Sequence, residues 1–405
     1  MSISTRTLRS AAITTVALAT AAALTLGLAG TAAADTTPTA NAALAGIELP
    51  APPGAVWNEP TALNNNGVIV GYALVSTPGS TPPSTPLRWN ADLSLTVLPL
   101  LSGDKSSQAL AVNDDGTAVG YSGSRPVRWS ATNTVSALQL PAGDDSGTAI
   151  AINGAGTAIG STYGGGHRHA VAWGPDGTAV QLAPLEGDTD AEALSINSSG
   201  TVVGYSSVAV PDGLPEEHAV IWGPDGTPTA LDAASGLGTS RALQVNDAGT
   251  VIGRGTPADD PSGYGHSLVW KADGSVTDLG SSARVSGVNS AGIVIGINSD
   301  ATIPYGQAAR WSPDGTRTAL GPADTEATSV NDAGVIVGFA WFGHPGRHYR
   351  WAKRWNTDGT TTDLTVPGGD NTSAQFINRA GLVVGFRATH PQPWSVQHFA
   401  TVWKP

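Results

Sequence analysis

One unit recurs eight times along this 405-residue chain. Each copy reads approximately A-x-x-[IVL]-N-x-x-G-x-[VIA]-[VI]-G, then a variable stretch, then x-A-x-x-W, a turn often ending Asp-Gly and a short apolar run. The anchor asparagines are Asn64, Asn113, Asn153, Asn197, Asn246, Asn289, Asn331 and Asn378, spaced 40 to 49 residues apart. A period of that size implies small supersecondary units that bury their apolar faces only against one another. Four strand signals fit in each unit. In the fourth copy they are Ala193–Ile196, Thr201–Tyr205, His218–Trp222 and Pro228–Leu231.

The second strand of the unit is apolar at consecutive positions, as in Val68-Ile69-Val70, Val335-Ile336-Val337 and Val383-Val384. A sheet with one wet face would alternate. Consecutive apolar residues require cover on both faces, which a β-propeller supplies by sandwiching each blade between two neighbours. The last copy ends at its third strand, Phe399–Trp403, while an orphan fourth-strand signal, Ile47-Glu48-Leu49-Pro50, precedes the first copy. The expected fold is therefore an all-β, eight-bladed β-propeller over residues 45–405, closed by an N-terminal strand completing the last blade. Closure would remove exposed sheet edges. Seven blades is the alternative if a terminal copy is not a full blade.

Residues 1–34 have the form of an export signal: Arg6 and Arg9, a mild apolar run from Ala11 to Gly30, and an Ala-x-Ala site at residues 32–34. An uncleaved anchor is the alternative. Residues 35–44 read as a disordered leader. The chain has no cysteine, which excludes disulfides, thiolate metal sites and a cysteine nucleophile. Net charge is −12, and −14 once Arg6 and Arg9 are removed, which argues against nucleic acid and anionic membranes as partners. A secreted, extracellular, monomeric bacterial protein is expected, free of the membrane after signal cleavage.

The repeat residues read as architecture. The asparagine is expected to bond backbone two residues on, and the first glycine to take positive φ in the turn. The second glycine is expected at a bulge or close blade contact. Calcium binding by turns such as Asn113-Asp114-Asp115-Gly116 is disfavoured because most copies lack the second carboxylate. Eight of the twelve tryptophans fall at one repeat position, the mark of an inter-blade core. His169, His218 and His266 share the position four before that tryptophan. Their places in different blades set them too far apart for one metal, so no metal or cofactor is expected.

These repeats resemble the HAF-type extracellular repeat, named for His-Ala-Phe. His169-Ala170-Val171 and His218-Ala219-Val220 carry the start with Val for Phe, and Val276-Thr277-Asp278-Leu279-Gly280 carries the fourth strand. The resemblance covers residues 45 to 405 and implies an exported repeat protein without a defined activity. Five copies lack the histidine.

Variable loops on a rigid frame are where binding residues concentrate. The long second-to-third and fourth-to-first connections of a propeller share one face, so the site is expected there. Repeats seven and eight place an aromatic and basic group on that face: Phe339, Trp341, Phe342, His344, Arg347, His348, Tyr349, Arg350, Trp351, His390 and Trp394. Aromatics beside cationic and imidazole groups suit sugar rings or an anchor on a protein. The candidate ligand-binding residues are Trp341, Phe342, His344, Arg347, His348, Tyr349, His390 and Trp394. A satellite core is the alternative, with Trp351 expected to be buried. The fourth-to-first loops are acidic: Asp104, Asp144, Asp145, Glu186, Asp188, Asp190, Glu192, Asp324, Glu326 and Asp370. A carboxylate pair there could serve glycoside cleavage, but no serine-histidine-aspartate spacing, His-Glu-x-x-His or phosphate loop is present. The expected function is non-catalytic binding of a glycan or extracellular protein partner. A propeller polysaccharide hydrolase or lyase and a purely structural envelope protein are the alternatives.

Overall fold

The computed structural model describes residues 41–75, 82–210, 214–231, 237–257, 265–300, 303–342, 349–368, 371–392 and 395–405. The expected export signal and most of the expected leader lie outside them. All regular elements among the described residues are β-strands. The first seven repeats each fold into an antiparallel four-stranded meander, and the eighth supplies three strands. The fourth, for example, comprises Asp190–Ile196, Val202–Val208, Glu216–Trp222 and Pro228–Ala230 in that spatial order. Successive sheets pack face to face, and the first strands of neighbouring repeats approach one another while the fourth strands make no comparable approach. The first strands therefore line a central axis, and the architecture is a β-propeller.

The consecutive apolar residues behave as a doubly covered strand requires. Ile69 and Val70 are both fully buried, but in different cores. Ile69 packs with Leu49, Trp89, Phe376, Val384 and Val402. Val70 packs with Ala109, Val112 and Trp129 of the second repeat. Val202 and Val203 divide in the same way between the cores on either side of the fourth sheet. The repeat tryptophan seals each interface. Its indole N–H donates to a carbonyl just beyond the fourth strand of the preceding sheet: Trp129 to Pro99, Trp173 to Gln139 and Trp222 to Ala183, each at 2.7 Å.

The anchor asparagine does more than shape its own turn. Asn197 Oδ1 accepts the amide of Thr201, four residues on, at 2.9 Å, and its Nδ2 donates to Asn246 O of the next repeat at 3.2 Å. All eight asparagines repeat both bonds, and Asn378, the last, donates to Asn64 O at 3.1 Å. The expected bond to the backbone two residues on is made by Asn289 alone among the described pairs, to Ala291 N. The amide four residues on is the one that points back at the side-chain oxygen in every copy. The first glycine of that turn has φ between +75° and +87° throughout, the left-handed region that glycine enters without penalty.

The second glycine marks a bulge. In the fourth sheet the register slips between Ala193 and Ser195, opposite Gly204. A Cβ on Gly204 would lie 1.9 Å from the Glu192 carbonyl oxygen, and the same clash recurs from Gly71 to Gly385. The bulge increases local twist and re-aims the neighbouring side chains.

Strand Asn41–Glu48 begins four residues before the expected boundary of the folded region. Its first half pairs in parallel with Thr361–Thr365 of the seventh sheet, and Leu44 packs on the core there. Its second half pairs antiparallel with the last strand, Ser395–Trp403, matching Gly46 with Trp403 and Glu48 with Thr401. The apolar spacing of Leu44, Ile47 and Leu49 gave no clue that residues 41–44 would find a parallel partner.

Candidate functional site at the mouth of the channel

The residue five before each anchor asparagine lies directly across the sheet from the residue after the second glycine. These pairs are Glu59–Tyr72, Gln108–Tyr121, Thr148–Ser161, Glu192–Tyr205, Arg241–Arg254, Arg284–Ile297, Glu326–Phe339 and Ser373–Phe386. The first-strand member of each pair stands four residues before the end of its strand. Together they bring charged, polar and aromatic residues of successive repeats to equivalent places near one end of the axis.

In the fourth repeat the Tyr205 hydroxyl donates to Glu192 Oε2 at 2.6 Å, and Arg168 from the third sheet pairs with the same carboxylate. Arg168 Nη1 also donates to Tyr205 Oη at 2.8 Å. Burial, reinforced by the Glu192 charge, raises the Tyr205 phenol well above its usual range. It therefore stays protonated and acts as a donor. Glu192 is held on two sides, by the phenol hydroxyl and by the guanidinium.

The first repeat builds a second group. Glu59 Oε2 accepts from Trp57 Nε1 at 3.0 Å and from the Tyr72 hydroxyl at 3.3 Å. The Trp57 ring stacks on His398 at 3.5 Å, and His398 stacks in turn on Phe386 at 4.3 Å. Burial raises the Glu59 pKa above the ordinary carboxyl value, with the two hydrogen bonds and the Arg350 charge pulling against it. The Tyr72 phenol is raised by burial and by the Glu59 charge.

A cleft of ≈ 220 Å³ opens between the second and third repeats, lined by Tyr121, Gly123, Ser124, Ser146, Gly147, Thr148 and Tyr163. It exists because the second repeat turns between its second and third strands on Gly123-Ser124 alone. Tyr163 is 40% exposed, and the Arg168 guanidinium sits 5.2 Å from its ring centre. Hydroxyls and two phenol rings line the cleft, and no charged side chain does.

The aromatic group expected on repeats seven and eight divides in two. Trp341 pairs with Arg350 across the sheet and Phe342 with Tyr349. Successive strand residues point to opposite faces, so Trp341 and Phe342 cannot form one shelf. Trp341 turns toward the eighth sheet, where the Arg350 guanidinium lies 5.1 to 5.5 Å from the rings of Phe339, Trp341 and Phe386. Phe342 stacks on Trp351 at 3.9 Å on the other face. Trp351 is 45% exposed, contrary to its expected burial. It is the third residue of the strand Tyr349–Trp355. His344, Arg347, His348 and Trp394 lie outside the described residues, as does the side chain of His390.

The repeat histidines bind carboxylates of their own blades. His169 Nδ1 lies 2.9 Å from Asp144, His218 Nδ1 2.9 Å from Asp188 and His266 Nδ1 2.7 Å from Asp278. Thr162 and Ser206 donate to the Asp144 and Asp188 carboxylates as well. The second repeat substitutes Arg125 for histidine and Ser122 as the donor to Asp104. In these groups aspartate sits between hydroxyl and imidazole, so the imidazole cannot take the hydroxyl proton as a general base would. No cluster of three or more metal-ligating histidine, aspartate or glutamate side chains occurs among the described residues.

The ring was visible in the sequence only as an irregular column. The position after the second glycine reads Tyr, Tyr, Ser, Tyr, Arg, Ile, Phe, Phe, and nothing marked it as facing a common mouth.

No family model matches the chain, and no curated protein sequence does. Three solved structures show what it is similar to. A virginiamycin B lyase from Staphylococcus aureus is 10% identical, covering 89% of this chain and 99% of that one at a TM-score of 0.46. An oligogalacturonate lyase from Vibrio parahaemolyticus is 11% identical, covering 72% and 88% at 0.46. An acylaminoacyl peptidase from Pyrococcus horikoshii is 11% identical, covering 85% and 60% at 0.48.

Proposed function

We propose that this chain is an exported, monomeric HAF-type propeller of eight blades, closed by its N-terminal strand, that binds a glycan on its long-loop face without transforming it. Two sets of contacts support closure: the antiparallel pairing of Gly46–Glu48 with Thr401–Trp403, and the Asn378-to-Asn64 bond. The observation that carries the binding reading is the Tyr121–Tyr163 cleft, where phenol rings and hydroxyls line a shallow opening at the channel mouth. Phenol and indole rings offer flat apolar faces for the C–H side of a sugar, and hydroxyl groups match its rim. Trp57 and Trp341, both partly exposed, extend the same mouth toward the eighth and seventh repeats.

A glycan array probed with residues 35–405 tests this reading, beside a Tyr121→Ala/Tyr163→Ala variant. Saturable binding that the variant loses supports it. Absence of binding by folded protein overturns it.

Glu59 favours a second reading, a polysaccharide hydrolase or lyase. A carboxyl raised by burial at a ligand-facing mouth is the state a general acid requires. Release of reducing ends or unsaturated products from a polysaccharide panel, abolished by Glu59→Gln, would establish it. Binding without product formation would exclude it.

A further inference from the structure

The fifth and sixth repeats break the aromatic and acidic pattern of the mouth with arginines. Arg241 and Arg254 face each other across the fifth sheet, and Arg284 occupies in the sixth the place that Arg241 holds in the fifth. Arg241 is spent: it forms a two-pronged pair with Glu217 and lies over the Tyr205 ring at 4.2 Å. Arg168 is likewise paired with Glu192. Arg254 and Arg284 differ. Both are exposed, and neither has a carboxylate partner among the described residues. The negative charge that Arg254 senses comes from Glu217, which Arg241 already holds.

We propose that Arg254 and Arg284 form an anion subsite at the channel mouth, and that the ligand of this face is an acidic glycan whose carboxylate or sulfate group they receive. The inference rests on the glycan reading above for the rest of the ligand, but not for the anion itself. Arginine presents a planar fork that matches a carboxylate or sulfate edge with two parallel hydrogen bonds. An exposed arginine with no carboxylate partner among the described residues keeps its fork free for an incoming anion. Crowding by protein and the adjacent Arg241 cation hold the Arg254 pKa below the ordinary guanidinium value, even though solvent reaches the side chain. On a chain of net charge −12, an acidic polymer would be repelled everywhere except where cations outnumber carboxylates. At this mouth Arg168, Arg241, Arg254, Arg284 and Arg350 stand against Glu59, Glu192, Glu217 and Glu326, and the carboxylates nearest Arg254 are already held by Arg168 and Arg241. The same residues set polarity along the ring: neutral hydroxyls at the second and third repeats, cations at the fifth and sixth.

The test compares neutral, uronate-containing and sulfated glycans on one array, with the wild-type protein and an Arg254→Gln/Arg284→Gln variant. The inference expects acidic glycans to be preferred, and each arginine removed to weaken them about ten-fold, equivalent to about 1.4 kcal/mol. The preference should fade as salt is raised. Binding of neutral glycans alone, or of acidic glycans undiminished in the variant, overturns the inference and leaves the glycan reading standing. Galacturonate and inorganic sulfate, each tested alone by thermal shift, separate the two proposals. Stabilisation that the wild type shows and the variant lacks supports the anion subsite even if the array is blank, and the more effective probe identifies the group received. No stabilisation and a blank array overturn both. An Arg254→Lys/Arg284→Lys variant that keeps the charge but loses the fork should recover only part of the affinity.

Discussion

Replacing Asn197 by alanine should reveal how much the chain of asparagines contributes to holding adjacent blades together. The side chain is 6% exposed and makes three hydrogen bonds. Nδ2 donates to Asn246 O at 3.2 Å, and Oδ1 accepts from Thr201 N at 2.9 Å and Ser199 Oγ at 2.8 Å. Asn246 O keeps its bond from Gly249 N at 3.1 Å, so at that carbonyl the loss is one net hydrogen bond, about 1 kcal/mol. The Thr201 amide fares worse, because the Asn197 oxygen is its partner. An orphaned, partly buried N–H costs about 1–2 kcal/mol. The sum is about 2–3 kcal/mol, read in urea as a lower midpoint at unchanged slope. Asn197→Asp refines the test. It keeps an acceptor for Thr201 N but turns a carboxylate toward the Asn246 carbonyl, so at neutral pH it should cost at least as much as alanine. Below about pH 4 the protonated acid can donate again and part of the loss should return. Ser198→Ala, on the exposed side of the same turn, should stay within about 0.5 kcal/mol. A loss below about 0.5 kcal/mol for Asn197→Ala, or an aspartate variant as stable as wild type at neutral pH, would refute this account of the inter-blade bonds.

Three further outcomes follow from the same geometry. Gly204→Ala should cost about 3 kcal/mol or more, or abolish folding, since its Cβ would fall 1.9 Å from the Glu192 carbonyl and neither backbone can give way; soluble yield and the urea midpoint read it. Gly46→Ala would drive a Cβ to 2.6 Å from Trp403 Nε1; a closed ring then predicts faster proteolysis at both termini and a lower melting temperature, whereas unchanged proteolysis would argue against closure. Glu59→Gln keeps an acceptor for Trp57 and Tyr72 but removes a charge that burial penalises. Because the folded-state pKa of Glu59 is raised, its wild-type contribution is fully present below the unfolded carboxyl pKa and is lost as pH rises through the folded value. The glutamine variant should therefore gain stability relative to wild type between pH 4 and pH 7, and parallel urea curves across that range would contradict the assigned burial.

The repeat residues dictated the frame because each is locally sufficient. The first glycine alone permits the left-handed turn, the second alone permits the bulge, and adjacent valines and isoleucines at one strand position demand cover on both faces. Tryptophan placement could be read as inter-blade packing for the same reason. Tertiary structure decided everything that depends on which residues share a space. It divided Trp341 from Phe342, neighbours in sequence, because adjacent residues of a strand point to opposite faces. It exposed Trp351, which lies against Phe342 on one face of its sheet. It gathered Glu59, Tyr121, Glu192, Arg254 and Arg284, from five different repeats, around one mouth, because ring packing brings to a common end positions that lie 40 to 49 residues apart in the chain.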